Sequence, residues 1–187
     1  MKKKNKNIIL ENISITDYAA EGKAIARLDG KVIFISGAVP GDTADILLTK
    51  NKKDWAEARA LRITSPAPDR VIPFCKHFGI CGGCKWQMLP YEKQLQYKQQ
   101  EAEQNLKRIG KVEVPEIMPI IGCENSIHYR NKLEFTFSNK RFLTSEEIGS
   151  ADVVTQQDAL GFHVPRIFDK VIDIFECYLM DDVNNKI

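Results

Sequence analysis

The feature that most constrains the fold of this chain is a group of three cysteines, Cys75, Cys81 and Cys84, within ten residues. Thiolates are soft ligands, and three of them in one loop can face a single centre only if the backbone wraps tightly. Three glycines in the same segment permit positive φ and a close approach of backbone N–H groups to sulfur. The spacing therefore predicts a metal or cluster site rather than packed, unliganded cysteines.

A fourth ligand must come from elsewhere in the chain, and Cys123, Cys177 and His77 are the candidates. The spacing alone does not separate a tetrahedral zinc from a [4Fe–4S] cluster, because both accept four cysteines. A disulfide framework is not expected in a reducing compartment.

Composition favours a cytoplasmic protein. The 187 residues are 43% hydrophobic and 28% charged, with a net charge of +2. No run of about 18 apolar residues exists, so we expect no membrane partner. The lysine-rich start is not followed by the apolar core of a secretory signal.

Residues 1–65 have the pattern of a small β-barrel. Apolar residues alternate with polar ones in short runs, and turn residues separate those runs. Asp29-Gly30 is a two-residue hairpin signal between two such runs. Several short strands in so few residues predict a closed barrel of the OB type, with a small sandwich or an SH3-like barrel as alternatives.

Residues 66–70, with two prolines among polar neighbours, predict a linker, and residues 71–187 a second, α+β domain. Its long helix can have Pro90 in its first turn, with an apolar stripe from Tyr91 to Ile109, and Gly110 should end it. Strands are expected at 129–137, 159–163 and 171–175.

Sequence similarity adds a family to these patterns. Residues 71–98, with the core Cys81-Gly-Gly-Cys84-Lys-Trp-Gln, resemble the cluster motif of the TRAM-containing RNA uracil-5-methyltransferases. Residues 15–42 are similar to the family's TRAM barrel, an OB-like RNA-binding module. Residues 126–132 and 161–163 are similar to segments of its central sheet, so the resemblance covers nearly the whole chain.

The resemblance implies a cofactor and a partner. In that family three close cysteines and a distant fourth hold a [4Fe–4S] cluster, which would make Cys75, Cys81, Cys84 and Cys177 the ligands, with zinc as the alternative. Cys123 matches no ligand position. The partner implied is RNA, most of all 23S ribosomal RNA, and the expected fold is an OB-like barrel followed by a small antiparallel-sheet domain with one long helix and a four-cysteine site.

The family's enzymes carry a further domain that binds S-adenosylmethionine and supplies the catalytic groups. The chain shows no glycine-rich turn for such a cofactor. We therefore expect that this polypeptide alone binds RNA as a monomer but does not methylate it, and that S-adenosylmethionine belongs to the parent enzyme.

Candidate RNA contacts are the cations that the pattern puts on surfaces. They are Lys23, Arg27 and Lys31 in the barrel, and Arg130 and Lys132 on one face of the strand predicted at 129–137. Two other functions remain open: a stand-alone RNA-binding regulator, and a zinc-ribbon module that binds proteins.

Overall fold

The computed structural model describes residues 8–150, 157–165 and 167–186; the basic residues of the extreme N-terminus lie outside these ranges. The strands are β1 (Ile9–Ser14), β2 (Asp17–Ala19), β3 (Lys23–Leu28), β4 (Lys31–Ser36), β5 (Thr43–Asn51), β6 (Trp55–Ser65), β7 (Thr136–Ser138), β8 (Ala159–Val164) and β9 (Ile167–Asp173). The helices are α1 (Tyr91–Gln104), which continues in a π-helical turn (Asn105–Gly110), α2 (Ser145–Gly149) and α3 (Asp182–Asn185). None of the helices in the described ranges has the length and apolar character needed to span a bilayer.

The chain divides into two compact units that are not contiguous in sequence. The first combines the residues up to Ile72 with Met88–Gly122, and the second combines Pro73–Gln87 with the chain from Cys123 onward. Helix α1, predicted as part of the second domain, therefore groups with the strands of the first. The loop with the three close cysteines lies within Pro73–Gln87 and therefore belongs to the second unit.

The first unit is built on a six-stranded sheet with the order β1-β5-β6-β4-β3-β2. All its pairings are antiparallel except that of β4 with β6. The edge strands β1 and β2 are separated in sequence by only Ile15 and Thr16, so the chain passes directly from one edge of the sheet to the other, as in a barrel. The backbone N–H of Ile15 donates to Asp42 O, and that of Thr16 donates to Ile25 O. This connectivity agrees with the predicted barrel.

Along each strand of the barrel, every second side chain points into the core. Its buried members are small or β-branched: Ile15, Ala24, Ala26, Ile33, Ile35, Ala38, Ala44, Ile46, Ala56 and Ala58. The other set faces outward, so the period-two pattern of the sequence survives in the structure.

The predicted hairpin turn forms at Asp29-Gly30. Leu28 pairs with Lys31 across it, and both turn residues have positive φ (49° and 79°). A two-residue turn with positive φ at both positions matches the right-handed twist of the strands it joins.

The predicted linker is attached to the barrel. The buried carboxylate of Asp42 accepts the backbone N–H of Ala67 at 2.9 Å and a hydrogen bond from Arg70. Lys93 of α1 forms an ion pair with Asp69 at 2.9 Å. The ring of Tyr97 lies 5.0 Å from that of Tyr18, whose pKa is raised by burial. These contacts explain why the linker and α1 belong with the barrel.

The predicted apolar stripe of α1 is only partly covered within the described residues. Tyr91 and Leu95 are half-buried, but Leu106 and Ile109 are exposed. The helical run ends at Gly110 as predicted, and Lys111 after it adopts the left-handed conformation (φ 51°).

The second unit contains the sheet β7-β8-β9, which is antiparallel throughout. Strand β8 lies where it was predicted, while β9 begins four residues before the predicted position and ends at Asp173. The strand predicted at 129–137 is wrong in extent, because only Thr136–Ser138 pairs with β8. The alternation of residues 129–135 does not correspond to a strand.

Candidate functional site

The loop that carries three of the cysteines is held by hydrogen bonds within itself. The backbone N–H of Phe78 donates to Cys75 O (3.1 Å), and that of Cys81 donates to His77 O (2.8 Å). Gly79, at φ 88°, makes the tight turn between them. The Gly83 N–H points at Cys81 Sγ, 3.4 Å away. The loop is thus tightly turned, and one of its backbone N–H groups is directed at a sulfur.

Cys177 follows β9 and is held in place by a side chain. Its backbone N–H donates to Asn185 Oδ1 (2.8 Å), and Asn185 Nδ2 donates back to Cys177 O (3.2 Å). Met180 N also donates to that carbonyl (3.3 Å). The cysteine is buried. The short helix α3, which contains Asn185, therefore fixes the backbone at this cysteine.

The thiols of Cys75, Cys84 and Cys177 are near enough to Cys81 to influence its pKa. Burial raises the pKa of Cys81; the N–H of Gly83 opposes this, and the other three thiols raise it further. Burial also raises the pKa of Cys84, with Cys75 and Cys177 adding to the effect. A thiol beside other thiols loses its proton less readily, because the resulting thiolates would repel one another. Among the described residues, no three His, Cys, Asp or Glu side chains stand in a metal-coordinating arrangement.

The donor set nevertheless has the chemistry that a cysteine-ligated centre requires. It consists of four thiols from two segments. A bound cation would favour their thiolate forms, because its positive charge outweighs the repulsion between the thiolates. Gln87 supports the loop: its Oε1 accepts the Cys75 N–H (3.2 Å), and its side chain hydrogen-bonds to Cys84, which lowers the pKa of that thiol. At Gly82 an added Cβ would lie 2.9 Å from Pro165 Cγ, so this position has no room for a side chain without movement.

The other two ligand candidates are arranged differently. Cys123 is exposed, and its Sγ donates to Asn125 O (3.1 Å). His77 accepts the Phe175 N–H through Nε2 (3.3 Å), which engages one of its two ring nitrogens. Burial lowers the pKa of His77, and Asp173 and Glu176 oppose that shift.

Several aromatic rings lie in the segments that carry the cysteines. Phe74 is 52% exposed and meets Tyr178 edge-on at 4.9 Å, and Phe175 is 78% exposed and stacks on His77 at 5.9 Å. Phe78 is half-buried. Phe74 and Phe175 therefore leave much of their ring surface in solvent.

Arg130 and Lys132 do not share a strand face, because the segment that contains them is irregular. The Arg130 N–H donates to Leu179 O (2.8 Å), and its charge lowers the pKa of Cys84. Arg130 therefore lies beside the cysteine group. Lys132 forms an ion pair with Glu134 at 3.1 Å, and both side chains are more than four-fifths exposed.

The three barrel cations divide between two places. Lys23 and Arg27 lie on the outward face of β3, and Lys23 forms ion pairs with Glu21 (3.4 Å) and Glu57 (3.7 Å). Lys31, at the start of β4, donates to Asn51 Oδ1 (2.7 Å) and lines a cavity of about 400 Å³ at one end of the barrel. Of these three cations, Lys23 and Arg27 share one outward surface.

Sequence reasoning overlooked the aromatic residues on that same surface. Phe34 and Trp55 lie on the neighbouring strands β4 and β6 with ring centroids 6.5 Å apart. The alternation of β4, with Ile33 and Ile35 inward, carried the signal, because it places Phe34 outward.

Known proteins are similar to most of this chain. Residues 11–61 match the TRAM domain. A Bacteroides thetaiotaomicron protein named uncharacterized RNA methyltransferase is 53% identical over 90% of this chain, and a Porphyromonas gingivalis protein of the same name is 49% identical over 94%. The chain spans 37% and 38% of those two proteins.

Two further matches carry more specific names. The 23S rRNA (uracil(1939)-C(5))-methyltransferase RlmD of Alkalilimnicola ehrlichii is 39% identical over 59% of this chain and 25% of that protein. The solved structure of Pyrococcus abyssi tRNA (uracil-54, C5)-methyltransferase, in complex with S-adenosyl-L-homocysteine, matches 93% of this chain and 34% of that one. Its TM-score is 0.50 at 23% identity, a likeness in fold alone. The chain thus contains a TRAM domain and is similar over most of its length to proteins named RNA methyltransferases.

Proposed function

We propose that this chain is the RNA-recognition portion of an S-adenosylmethionine-dependent RNA uracil-5-methyltransferase that acts on ribosomal RNA. The observation that carries the proposal is the extent of the relationship: it runs through the barrel and the cysteine-bearing unit alike, in relatives named RNA methyltransferases. A relative named for a 23S rRNA uracil supports the choice of RNA. S-adenosylmethionine would be bound by the whole enzyme.

Recognition by the barrel would begin with charge. Phosphate contacts supply most of the affinity for RNA and depend strongly on salt, because each releases counterions. Lys23 and Arg27 point away from the barrel core on one strand and are suited to such contacts. Arg130 and Lys132 of the second unit remain candidates, now without the strand geometry that first suggested them.

The second unit would hold a [4Fe–4S] cluster through Cys75, Cys81, Cys84 and Cys177. The mutual effect of these thiols on the pKa of Cys81 and the N–H of Gly83 directed at its sulfur support this ligand set. When bound, such a cluster ties its four thiolates together and accepts hydrogen bonds at sulfur. Methyl transfer to uracil requires no electron, so the role proposed here is structural: the cysteine loop and the segment after β9 are held in one arrangement.

The first experiment measures RNA binding by the 187-residue chain. Fluorescence anisotropy with labelled fragments of ribosomal and transfer RNA, over a series of salt concentrations, gives affinity and salt slope. We expect tighter binding of the ribosomal fragment, and a reduction of the slope by about two when Lys23 and Arg27 are both replaced by Ala. Equal, salt-insensitive binding to all polyanions would contradict the proposal.

The second experiment measures metal content after anaerobic purification. We expect brown protein with about four irons and matching sulfide per chain. Cys177→Ser should lose this iron, because one ligand is removed, whereas Cys123→Ser is the matched control and should retain it. Colourless protein with one zinc per chain would identify a zinc site instead, and iron loss in Cys123→Ser would overturn the ligand set.

A further inference from the structure

The outward face of β3, β4 and β6 combines aromatic rings with positive charge. The register aligns Arg27, Val32 and Trp55 in one row across the three strands, and Phe34 with Glu57 in the next. The neighbours of these residues along each strand, such as Ile33 and Ala56, are buried in the core. Phe34 and Trp55 are therefore on the solvent side, and both are half-buried.

The two rings form a stepped platform rather than a packed interior pair. Their planes meet at 70° with centroids 6.5 Å apart, so the broad face of each ring points in its own direction. Lys50 Nζ lies over the Trp55 ring, 4.6 Å from its centroid. Lys50 is itself exposed, so it can move from the indole to a neighbouring anion.

Cations surround the platform. Lys23 and Arg27 lie on the β3 side and exposed Arg59 on the β6 side, with Lys50 above Trp55. The one carboxylate in the aligned rows, that of Glu57, is paired with Lys23 at 3.7 Å. The arrangement offers flat rings to bases and separate positive charges to phosphates.

We propose that Trp55 and Phe34 form a base-stacking site for single-stranded RNA, with Lys50 moving from the Trp55 ring to a phosphate when a base takes its place. The inference rests on the proposed RNA-binding function and gives it a surface. Every base has a π-face, so stacking of this kind tolerates many sequences while the cations follow the backbone. An indole that already attracts a cation is also a strong partner for a planar base.

The test uses the fact that the chain has two tryptophans, Trp55 and Trp86. In a Trp86→Phe variant, emission comes from Trp55 alone. Titration with a single-stranded RNA of about 12 nucleotides, a length suited to one barrel, should quench that emission with the same midpoint as the anisotropy of the labelled RNA. In the otherwise unchanged chain, Trp55→Phe should remove this quenching, which provides the same test if Trp86→Phe folds poorly.

Affinity provides an independent measurement. Trp55→Ala should weaken binding about tenfold, and Trp55→Phe, which keeps a ring, should weaken it less. Circular dichroism of each variant checks that the barrel is intact. If the RNA binds while Trp55 emission stays constant, the stacking site is wrong and the proposed function stands. If the RNA does not bind to the unchanged chain, the proposed function itself fails.

Discussion

The carboxylate of Asp42 holds the end of the barrel to the segment that follows, and its removal tests that account. It is fully buried and accepts N–H groups from Val39 (2.8 Å) and Ala67 (2.9 Å) as well as a hydrogen bond from Arg70. Asp42→Ala leaves all three donors without this acceptor. Removing one partner of a buried ion pair costs about 3–5 kcal/mol, so we expect the free energy of unfolding to fall by that amount.

Urea unfolding, followed by Trp55 emission in a Trp86→Phe background, reports on the barrel. With a slope of about 2 kcal/mol per molar urea, the midpoint of Asp42→Ala should fall by about 2 M. Arg62→Ala is the matched control, because it breaks another Asp–Arg pair. Arg62 binds Asp45, and the Arg62 side chain is largely in solvent. After this change Asp45 still accepts the Asn12 N–H (3.0 Å), and the lost partner was one that approaches from solvent, so the midpoint should fall less than in Asp42→Ala. Equal shifts in the two variants would refute the reasoning.

Two further predictions concern the second unit. A Cβ at Gly161 would lie 2.0 Å from Ile172 O, so Gly161→Ala should abolish protection of the β8 and β9 amides from hydrogen exchange, whereas Gly149→Ala, with open space around it, should leave exchange unchanged. The carboxylate of Glu147 accepts the backbone N–H of Thr144 at the start of α2 and also binds Arg141. Both interactions lower the pKa of Glu147. Its contribution to stability is therefore present above the ordinary Glu pKa and is lost as the pH falls through the lowered one. Glu147→Gln keeps the capping hydrogen bond, so it should be less stable than the parent at neutral pH and equal to it in acid; a difference that persists in acid would contradict this.

Local signals in the sequence predicted local structure well. Asp29-Gly30 forms the expected hairpin, and the alternation of β4 separates Ile33 in the core from Phe34 outside. Such features depend on neighbouring residues only, through φ preference and period. The predicted grouping of Cys177 with the cysteine loop came from resemblance and not from spacing.

Features that depend on distant partners could not be predicted in this way. Residues 129–135 alternate like a strand, but only Thr136–Ser138 finds a partner in β8. Alternation indicates which side chains could share a face, but a strand also needs a neighbouring strand to pair with, and the pattern does not reveal whether one exists. The segment at 66–70 has the composition of a linker, yet the Asp42 carboxylate, 25 residues before Ala67, binds it to the barrel.

The character of the two edge strands, β1 and β2, bears on how the barrel can recognise a partner. An open sheet can gain a strand from a partner, whose main chain then supplies affinity regardless of sequence. Here β2 has only three residues, and the pairing of β1 shifts register between Leu10 and Ile13, so both edges discourage the addition of a strand and edge-to-edge aggregation. Specific binding by this barrel would then come from side chains on its outer face and from its loops. Substitutions at outward positions such as Phe34, Lys50 and Trp55 can then retune what is bound while the core residues keep the fold.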